Sequence, residues 1–416
     1  MGKYIIYGGR KLSGTFIPET AKNAVMPMLA ASILTDEQVV IKNCPKISDV
    51  YSMVKILNSL GAKTYFNDNN LVILSKSVCS HTVLSEHAKT LRSSIFMLGA
   101  LISRFKKAEV SLPGGCDIGK RPIDIHLDVL KAMGCETVVE DECVRCKCDK
   151  LKGCSIKLSF ASVGATENAI LAGVKANGTT VIHNAAREPE IVDLVNFLKS
   201  MGAKISGEGT KTITIEGVKR LHGTEYLPIP DRIETGTFLI ATAITGGEIE
   251  VKGFNAENIL PLIHKLCENA CKISIKNDII YLKKGAVSKS FSFVTGPHPL
   301  FPTDLQAQAM SLACLSVGQS VIRENVFENR FRHVAELRKL GADITVLGRA
   351  VVINGVKSFC PAELNAEDLR GGAALVLAAL ATDGVSFVNN TFHIERGYAG
   401  FDEKLRLLGA DIKVTT

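Results

Sequence analysis

Apolar and polar positions along this chain fall into two patterns that return together. One is a run of small apolar residues with no polar face, at residues 21–34, 91–102, 164–175, 234–245, 304–317 and 367–382. Such runs predict helices that are nearly apolar all round, hence buried and tightly packed. The other is a turn followed by β-branched residues, and it predicts strands. It occurs at Val39-Val40-Ile41, Glu109-Val110-Ser111, Thr180-Val181-Ile182, Ile249-Glu250-Val251, Val321-Ile322-Arg323 and Val385-Ser386-Phe387. A third marker keeps the same period: Leu60-Gly61-Ala62, Met133-Gly134-Cys135, Met201-Gly202-Ala203, Leu340-Gly341-Ala342 and Leu408-Gly409-Ala410, with a degenerate Asn269-Ala270-Cys271 between the third and fourth. Each glycine is placed to end a helix in the left-handed conformation before a strand begins. Copies lie roughly 70 residues apart, a repeat of supersecondary size.

Each repeat reads as helix–strand–helix–strand, and six repeats form two groups of three. The expected class is therefore α/β in two domains, since helices and strands alternate throughout. The boundary falls near Leu227-Pro228-Ile229-Pro230, where two prolines stiffen the chain. The domains are residues 21–228, and residues 1–20 with 229–416.

Composition narrows the function classes. The chain has 416 residues, 46% hydrophobic and 22% charged, which is the balance of a folded globular protein of two domains. Its net charge of +7 is spread out, without the basic run of a nucleic-acid tail, and fits a small anionic substrate. No signal-peptide core precedes the first strand and no apolar run spans a bilayer, so a cytoplasmic protein without membrane insertion is expected. Its 12 cysteines are then expected as reduced thiols. Cys143, Cys146, Cys148 and Cys154 lack the paired spacing of a zinc site, and on a strand Cys143 points away from Cys146 and Cys148.

The stretch Pro113-Gly114-Gly115-Cys116-Asp117-Ile118-Gly119-Lys120-Arg121-Pro122 excludes helix and strand. It reads as a loop carrying a cysteine beside two cations. Adjacent cations raise a thiol's thiolate fraction and hold phosphate or carboxylate close to the sulfur. A second concentration of polar groups lies where the apolar helices start. These starts are Thr20-Ala21-Lys22-Asn23, Arg92-Ser93-Ser94, Ser162-Val163-Gly164, Asp231-Arg232, Pro302-Thr303-Asp304 and Asp368-Leu369-Arg370. Helix N-termini favour anions, and Lys22 and Arg92 add cations where a purely structural cap would not want them. Facing sets of three such ends would form an interdomain cleft for an anionic ligand. A structural alternative exists at single positions. Thr303-x-x-Gln306 reads as a capping box, and Arg330 and Arg396 as surface ion pairs.

The residues Lys22-Asn23, the loop 113–122, Ser162-Val163-Gly164-Ala165-Thr166, Ala186-Arg187-Glu188-Pro189-Glu190, Pro297-His298-Pro299, Phe301-Pro302-Thr303-Asp304 and Arg396-Gly397-Tyr398 resemble the UDP-N-acetylglucosamine enolpyruvyl transferase family. The resemblance runs over essentially the whole chain. It implies two inside-out α/β barrels, six repeats of a βαβαββ-type unit, three per domain. It implies transfer of enolpyruvate from phosphoenolpyruvate to the 3′-hydroxyl of UDP-N-acetylglucosamine with release of phosphate, the first committed step of peptidoglycan synthesis. No metal, organic cofactor or nucleic acid is implied, and a monomer is expected.

By the same resemblance Lys22, Asn23, Arg92, Arg121 and Arg396 bind phosphoenolpyruvate, and Lys22 and Arg396 count with Cys116 and Asp304 among the catalytic residues. Cys116 is the general acid or forms a covalent adduct, and Asp304 is the base beside the sugar hydroxyl. The nucleotide sugar meets Asn23, Arg92, Arg121, Pro122, Ile123, Asp124, Ile125, Ser162, Val163, Gly164, Asp304 and Val326. Arg330 and Asp368 organise the cleft. This chain departs from the family's pattern at Phe160, where a lysine is frequent, and at Ala270, where glycine is usual. The sister enzyme acting on shikimate 3-phosphate lacks the cysteine loop. An RNA-terminal phosphate cyclase would predict aromatics along a basic groove, against 6% aromatic residues and no tryptophan here. A catalytically dead paralogue is opposed by Cys116, Asp304, Lys22 and Arg396 all being present.

Overall fold

The computed structural model describes residues 2–88, 91–112 and 123–415. Contacts divide these into two compact units: residues 2–19 with 230–415, and residues 20–112 with 123–229. The backbone passes from one to the other after Glu19 and again after Ile229.

Each unit holds three four-stranded sheets among the described residues. The stretch from Thr82 to Lys147 shows the repeat. Strand Thr82–Val83, helix Met97–Phe105, strand Lys107–Ser111, helix Asp124–Ala132 and the hairpin Glu136–Glu140/Cys143–Lys147 follow in that order. This is the βαβαββ unit. The crossover strand pairs in parallel (Thr82 with Glu109), and the hairpin pairs antiparallel (Val110 with Val144). Every one of the six sheets combines one parallel edge with an antiparallel hairpin. The sixth sheet borrows its hairpin partner from the start of the chain. Strand Lys3–Gly8 lies between Gly384–Asn389 and Asp411–Thr415. Within Cys143–Lys147 the alternation expected of a strand holds. The Cys146 thiol enters the core, while that of Cys143 faces Glu109 Oε1 at 3.7 Å.

The six apolar runs form α1 (Lys22–Ala31), α2 (Met97–Phe105), α3 (Val163–Gly173), α4 (Arg232–Ile244), α5 (Gln306–Cys314) and α6 (Leu369–Leu380). Every residue of α4 and α5 is buried, as is all of α6 after Leu369. In one unit α4, α5 and α6 pack pairwise, and in the other α2 packs on α1 and α3. Small side chains permit this approach. A Cβ at Gly99 would stand 2.7 Å from the Asn168 carbonyl oxygen, so even alanine would overpack the contact.

Two helix starts differ from expectation. The runs 91–102 and 304–317 begin as tight 3-10 turns, Arg92–Phe96 and Thr303–Leu305, before the α-helix proper. The capping box at Thr303-x-x-Gln306 does not form. Thr303 Oγ1 donates instead to Glu324 Oε2 at 3.0 Å, and Gln306 is buried. A stronger tertiary acceptor has replaced the local one.

The five repeat glycines take the left-handed backbone they were assigned, from Gly134 at φ +92° to Gly61 at +103°. Ala270 takes it too, at φ +67°. Its helix, Leu260–Glu268, is held by neighbours instead. The fully buried Asn269 side chain donates to Lys289 O at 2.6 Å and to Ser316 Oγ at 2.9 Å, and Lys284 Nζ donates to Asn269 O at 2.8 Å. A cation at the C-terminal carbonyls also complements the helix dipole. An L-residue in this conformation costs on the order of 1–2 kcal/mol, partly offset by glycine's greater unfolded-state freedom. Ala270→Gly is therefore expected to raise the urea midpoint by the equivalent of about 0.5–1 kcal/mol. An unchanged or lower midpoint would show that the Asn269–Lys284 network already absorbs the strain.

Candidate active site

In the unit of residues 20–229, Lys22 and Asn23 open α1, and Lys22 Nζ lies 2.5 Å from Asp49 Oδ2. Asp49 is buried in the first turn of helix Ser48–Ser59. Lys22 is thus fixed by a carboxylate that the sequence reading did not single out. Arg92 begins the 3-10 turn ahead of α2, and burial pulls its pKa down. Ile123, Asp124 and Ile125 lie at the start of helix Asp124–Ala132. Ser162 caps α3, its hydroxyl accepting from Ala165 N at 3.3 Å, so Val163 and Gly164 form the helix's first turn.

One buried side chain joins three of these segments. Asn168, fully buried in α3, accepts from Gly99 N at 2.7 Å and donates to Ile95 O at 3.1 Å. It also donates to His126 Nδ1 at 2.8 Å. Ile95 belongs to the Arg92 turn, His126 follows Ile123–Ile125, and Asn168 sits on the helix that Ser162 caps. Burial first, then the charge of Arg92, push the His126 imidazole down to about 4. The ring is neutral at pH 7. With Nδ1 accepting, its proton lies on Nε2. The ring packs under Gly164, where a Cβ would come within 2.9 Å of His126 Cε1. Beneath the Arg187–Glu190 stretch, burial and then the charges of Glu190 and Glu188 hold the Glu167 carboxyl well above the usual range.

In the unit of residues 2–19 and 230–415, each of three apolar helices has an aspartate at its start. Asp231 caps α4, accepting from Ile233 N and Glu234 N, and Asp368 caps α6, accepting from Arg370 N and Gly371 N. Asp304 does not cap α5. Its Oδ1 lies 2.7 Å from Arg330 Nη2 and its Oδ2 lies 3.2 Å from Arg370 Nη2. Both arginines are about 95% buried, whereas the Asp304 side chain is 26% exposed. Arg330 is therefore no surface ion pair but a buried clamp. Burial alone would lower the Arg370 pKa, but Tyr398 and Asp304 outweigh it and the net shift is upward.

Beneath Asp304, Gln308 Nε2 donates to the Asp304 carbonyl at 3.0 Å, and it also bonds Thr237 and the Tyr398 hydroxyl. Arg370 stacks over the Tyr398 ring at 5.2 Å. Arg396 is half-buried at the end of the short helix Phe392–Glu395, where its charge lowers the pKa of His393 after the effect of burial. Val326 lies in the turn after strand Gln319–Arg323. Phe160 is exposed just ahead of the α3 cap. Cys116, Arg121 and Pro122, with the rest of the loop 113–122, lie outside the described residues.

Sequence reasoning thus missed Asp49, His126, Asn168, Gln308 and Glu324. A usable signal existed for two of them. Asn168 and Gln308 are amides inside mostly apolar, buried helices, and a buried amide has to be satisfied. Asp49 and Glu324 carry no local mark, because their partners are distant in sequence.

A chain of six βαβαββ repeats with charged groups gathered at the starts of buried helices is the architecture of an enolpyruvyl transferase. The enolpyruvyl transferase NikO from Streptomyces tendae superposes with a TM-score of 0.91 at 26% identity, covering 100% of this chain and 99% of that one. The EPSP synthase of Acinetobacter baumannii has the same fold, with a TM-score of 0.75 at 19% identity over 100% of both chains. The profile of the family EPSP synthase (3-phosphoshikimate 1-carboxyvinyltransferase) matches residues 6–405. UDP-N-acetylglucosamine 1-carboxyvinyltransferase 2 of Caldanaerobacter subterraneus subsp. tengcongensis is 48% identical, and that of Clostridium tetani 45%, each over 99% of both chains. The Geotalea daltonii relative named UDP-N-acetylglucosamine 1-carboxyvinyltransferase is 44% identical over 99% of both. The chain belongs to the UDP-N-acetylglucosamine 1-carboxyvinyltransferase family.

The neutral, buried His126 makes a pH prediction. Its folded pKa of about 4 lies below the ordinary 6.5, so its contribution is fully present above pH 6.5 and is lost as pH falls towards 4. His126→Gln keeps an acceptor for Asn168 but cannot take up the proton. Wild type is expected to lose stability relative to this variant between those pH values, read as diverging urea midpoints. Parallel midpoints would mean that His126 is not held neutral.

Proposed function

We propose that this protein transfers the enolpyruvyl group of phosphoenolpyruvate to the 3′-hydroxyl of UDP-N-acetylglucosamine and releases inorganic phosphate. The observation that carries the reading is near-full-length identity of 44–48% to relatives whose names specify that acceptor. The clamped Asp304 supports it chemically. A base must be held in one orientation to take a hydroxyl proton, and two buried guanidinium groups hold this carboxylate by both oxygens.

In this reading Cys116 delivers a proton to the methylene carbon of phosphoenolpyruvate as the sugar oxygen bonds the adjacent carbon, and Asp304 accepts the hydroxyl proton. The resulting ketal loses phosphate by cleavage of its C–O bond. A proton leaves the methyl group and the double bond returns. Lys22, Asn23, Arg92, Arg121 and Arg396 neutralise the phosphate and carboxylate. Pro122, Ile123, Asp124, Ile125, Ser162, Val163, Gly164 and Val326 receive the nucleotide sugar, with Arg330 and Asp368 ordering the groups around Asp304. In this reading the chain divides into the domains 21–228 and 1–20 with 229–416. The same reading makes the protein a cytoplasmic monomer acting at the first committed step of peptidoglycan assembly. Among the described residues no helix is long and apolar enough to cross a membrane.

The test is phosphate release from phosphoenolpyruvate with each acceptor. Release is expected with UDP-N-acetylglucosamine and not with shikimate 3-phosphate. The opposite pattern would assign the chain to the other acceptor. Cys116→Ala is expected to abolish turnover, and Asp304→Asn to lower kcat by about 10²–10⁴-fold. Wild-type kcat in Asp304→Asn would remove it from that role.

A further inference from the structure

Glu324 is a charged residue type with no exposed surface, and the chemistry above does not use it. It directly follows strand Gln319–Arg323, and both of its carboxylate oxygens accept from neighbours. Oε1 accepts from Val326 N at 2.8 Å and from Phe327 N at 3.1 Å. Oε2 accepts from Thr303 Oγ1 at 3.0 Å. The first pair fixes the turn that carries Val326 and leads into Arg330. The second fixes the residue immediately before Asp304. Arg330 closes the ring, donating to Asp304 Oδ1 at 2.7 Å and to Thr303 O at 3.3 Å.

Two segments that do not adjoin in sequence, 303–304 and 324–330, are therefore held in register by one carboxylate. A structural reading of Glu324 as an ordinary turn former accounts for the bonds to Val326 and Phe327. It does not account for the Thr303 hydroxyl, which donates to Glu324 and to no group of its own helix start. We infer that Glu324 is a positioning residue for acceptor binding and deprotonation. Through Thr303 it sets where Asp304 stands, and through Val326 it sets where the acceptor lies, so the base and its hydroxyl are aligned by the same side chain. The inference rests on the enolpyruvyl-transfer reading.

Alignment of this kind is kinetically large, since a displacement of about 1 Å at a reacting pair costs on the order of a hundredfold. The two arms of the carboxylate can be cut separately. Thr303→Val removes the hydroxyl and little else, leaving the Val326 turn intact. It is expected to lower kcat about tenfold or more with KM for UDP-N-acetylglucosamine within about twofold of wild type. Glu324→Ala cuts both arms and is expected to lower kcat and raise that KM together. Glu324→Gln keeps an acceptor for the two backbone N–H groups and an amide beside the Thr303 hydroxyl, and it is expected to recover most of the activity.

Steady-state kinetics with phosphoenolpyruvate and UDP-N-acetylglucosamine read all three variants against wild type, with thermal midpoints recorded alongside. The decisive comparison is Thr303→Val placed on Glu324→Ala. No further loss of kcat in the double variant supports one shared tie, whereas additive losses overturn it. Wild-type kcat in Thr303→Val overturns the proposal by itself, including when Glu324→Ala does not fold. A wild type that turns over shikimate 3-phosphate and not the nucleotide sugar would instead overturn the reading beneath it. The two failures are therefore distinguishable.

Discussion

Helices that are buried on every side can offer chemistry only at their ends. That constraint organises both units. Each of α1 to α6 is lined mainly with alanine, leucine, glycine and other small or apolar side chains, and the polar ones among them, such as Asn168 and Gln308, are turned to partners inside the protein. The first turns are different, because there the backbone N–H groups have no partner within the helix and take side-chain acceptors instead, as at Ser162, Asp231 and Asp368. Lys22, Arg92, Ser162, Asp231, Asp304 and Asp368 all stand at such turns. The fold does not merely support the polar groups. It also decides where most of them gather.

The two units solve the same packing problem with opposite electrostatics. In residues 20–229 the helix starts carry cations and neutral donors, and Asn168 joins two of them to the segment after residue 122 through neutral hydrogen bonds. In the other unit the starts carry aspartates. Two of these cap their own helices, while Asp304 is claimed by Arg330 and Arg370. Breaking a buried ion pair from one side costs about 3–5 kcal/mol, so the Asp304 clamp also ties its helices together. Its partial exposure is what separates it from a purely structural pair.

Much of the fold was legible because it rests on periodicity. The apolar runs, the β-branched strands and the recurring glycine each report a local backbone requirement, and six copies made the pattern hard to mistake. Ala270 shows where such reading stops. The sequence marks it as a departure from glycine, but the left-handed backbone is kept by Asn269 and Lys284, whose contacts are tertiary. The capping box at Thr303 failed for a related reason. A hydroxyl chooses between acceptors by geometry, and Glu324, 21 residues away, offered the better one. At the candidate site, residues at helix starts could be singled out from chain order. The partners that orient them, Asp49 and His126 among them, become visible only when the chain is folded.

The placement of strand Lys3–Gly8 in the middle of the last sheet bears on how the chain is made. Residues 20–229 contain every strand of their three sheets, so that unit has all its partners as soon as Ile229 has left the ribosome. The first strand has no such luck. It must pair with Gly384–Asn389 and Asp411–Thr415, which follow the whole of residues 20–229 in the chain. Until those strands have been made its two edges lack their partners, so the sheets of its unit are completed after those of residues 20–229. The order in which sheets can be completed is therefore written into the strand order: residues 20–229 first, then the segments on either side of them together.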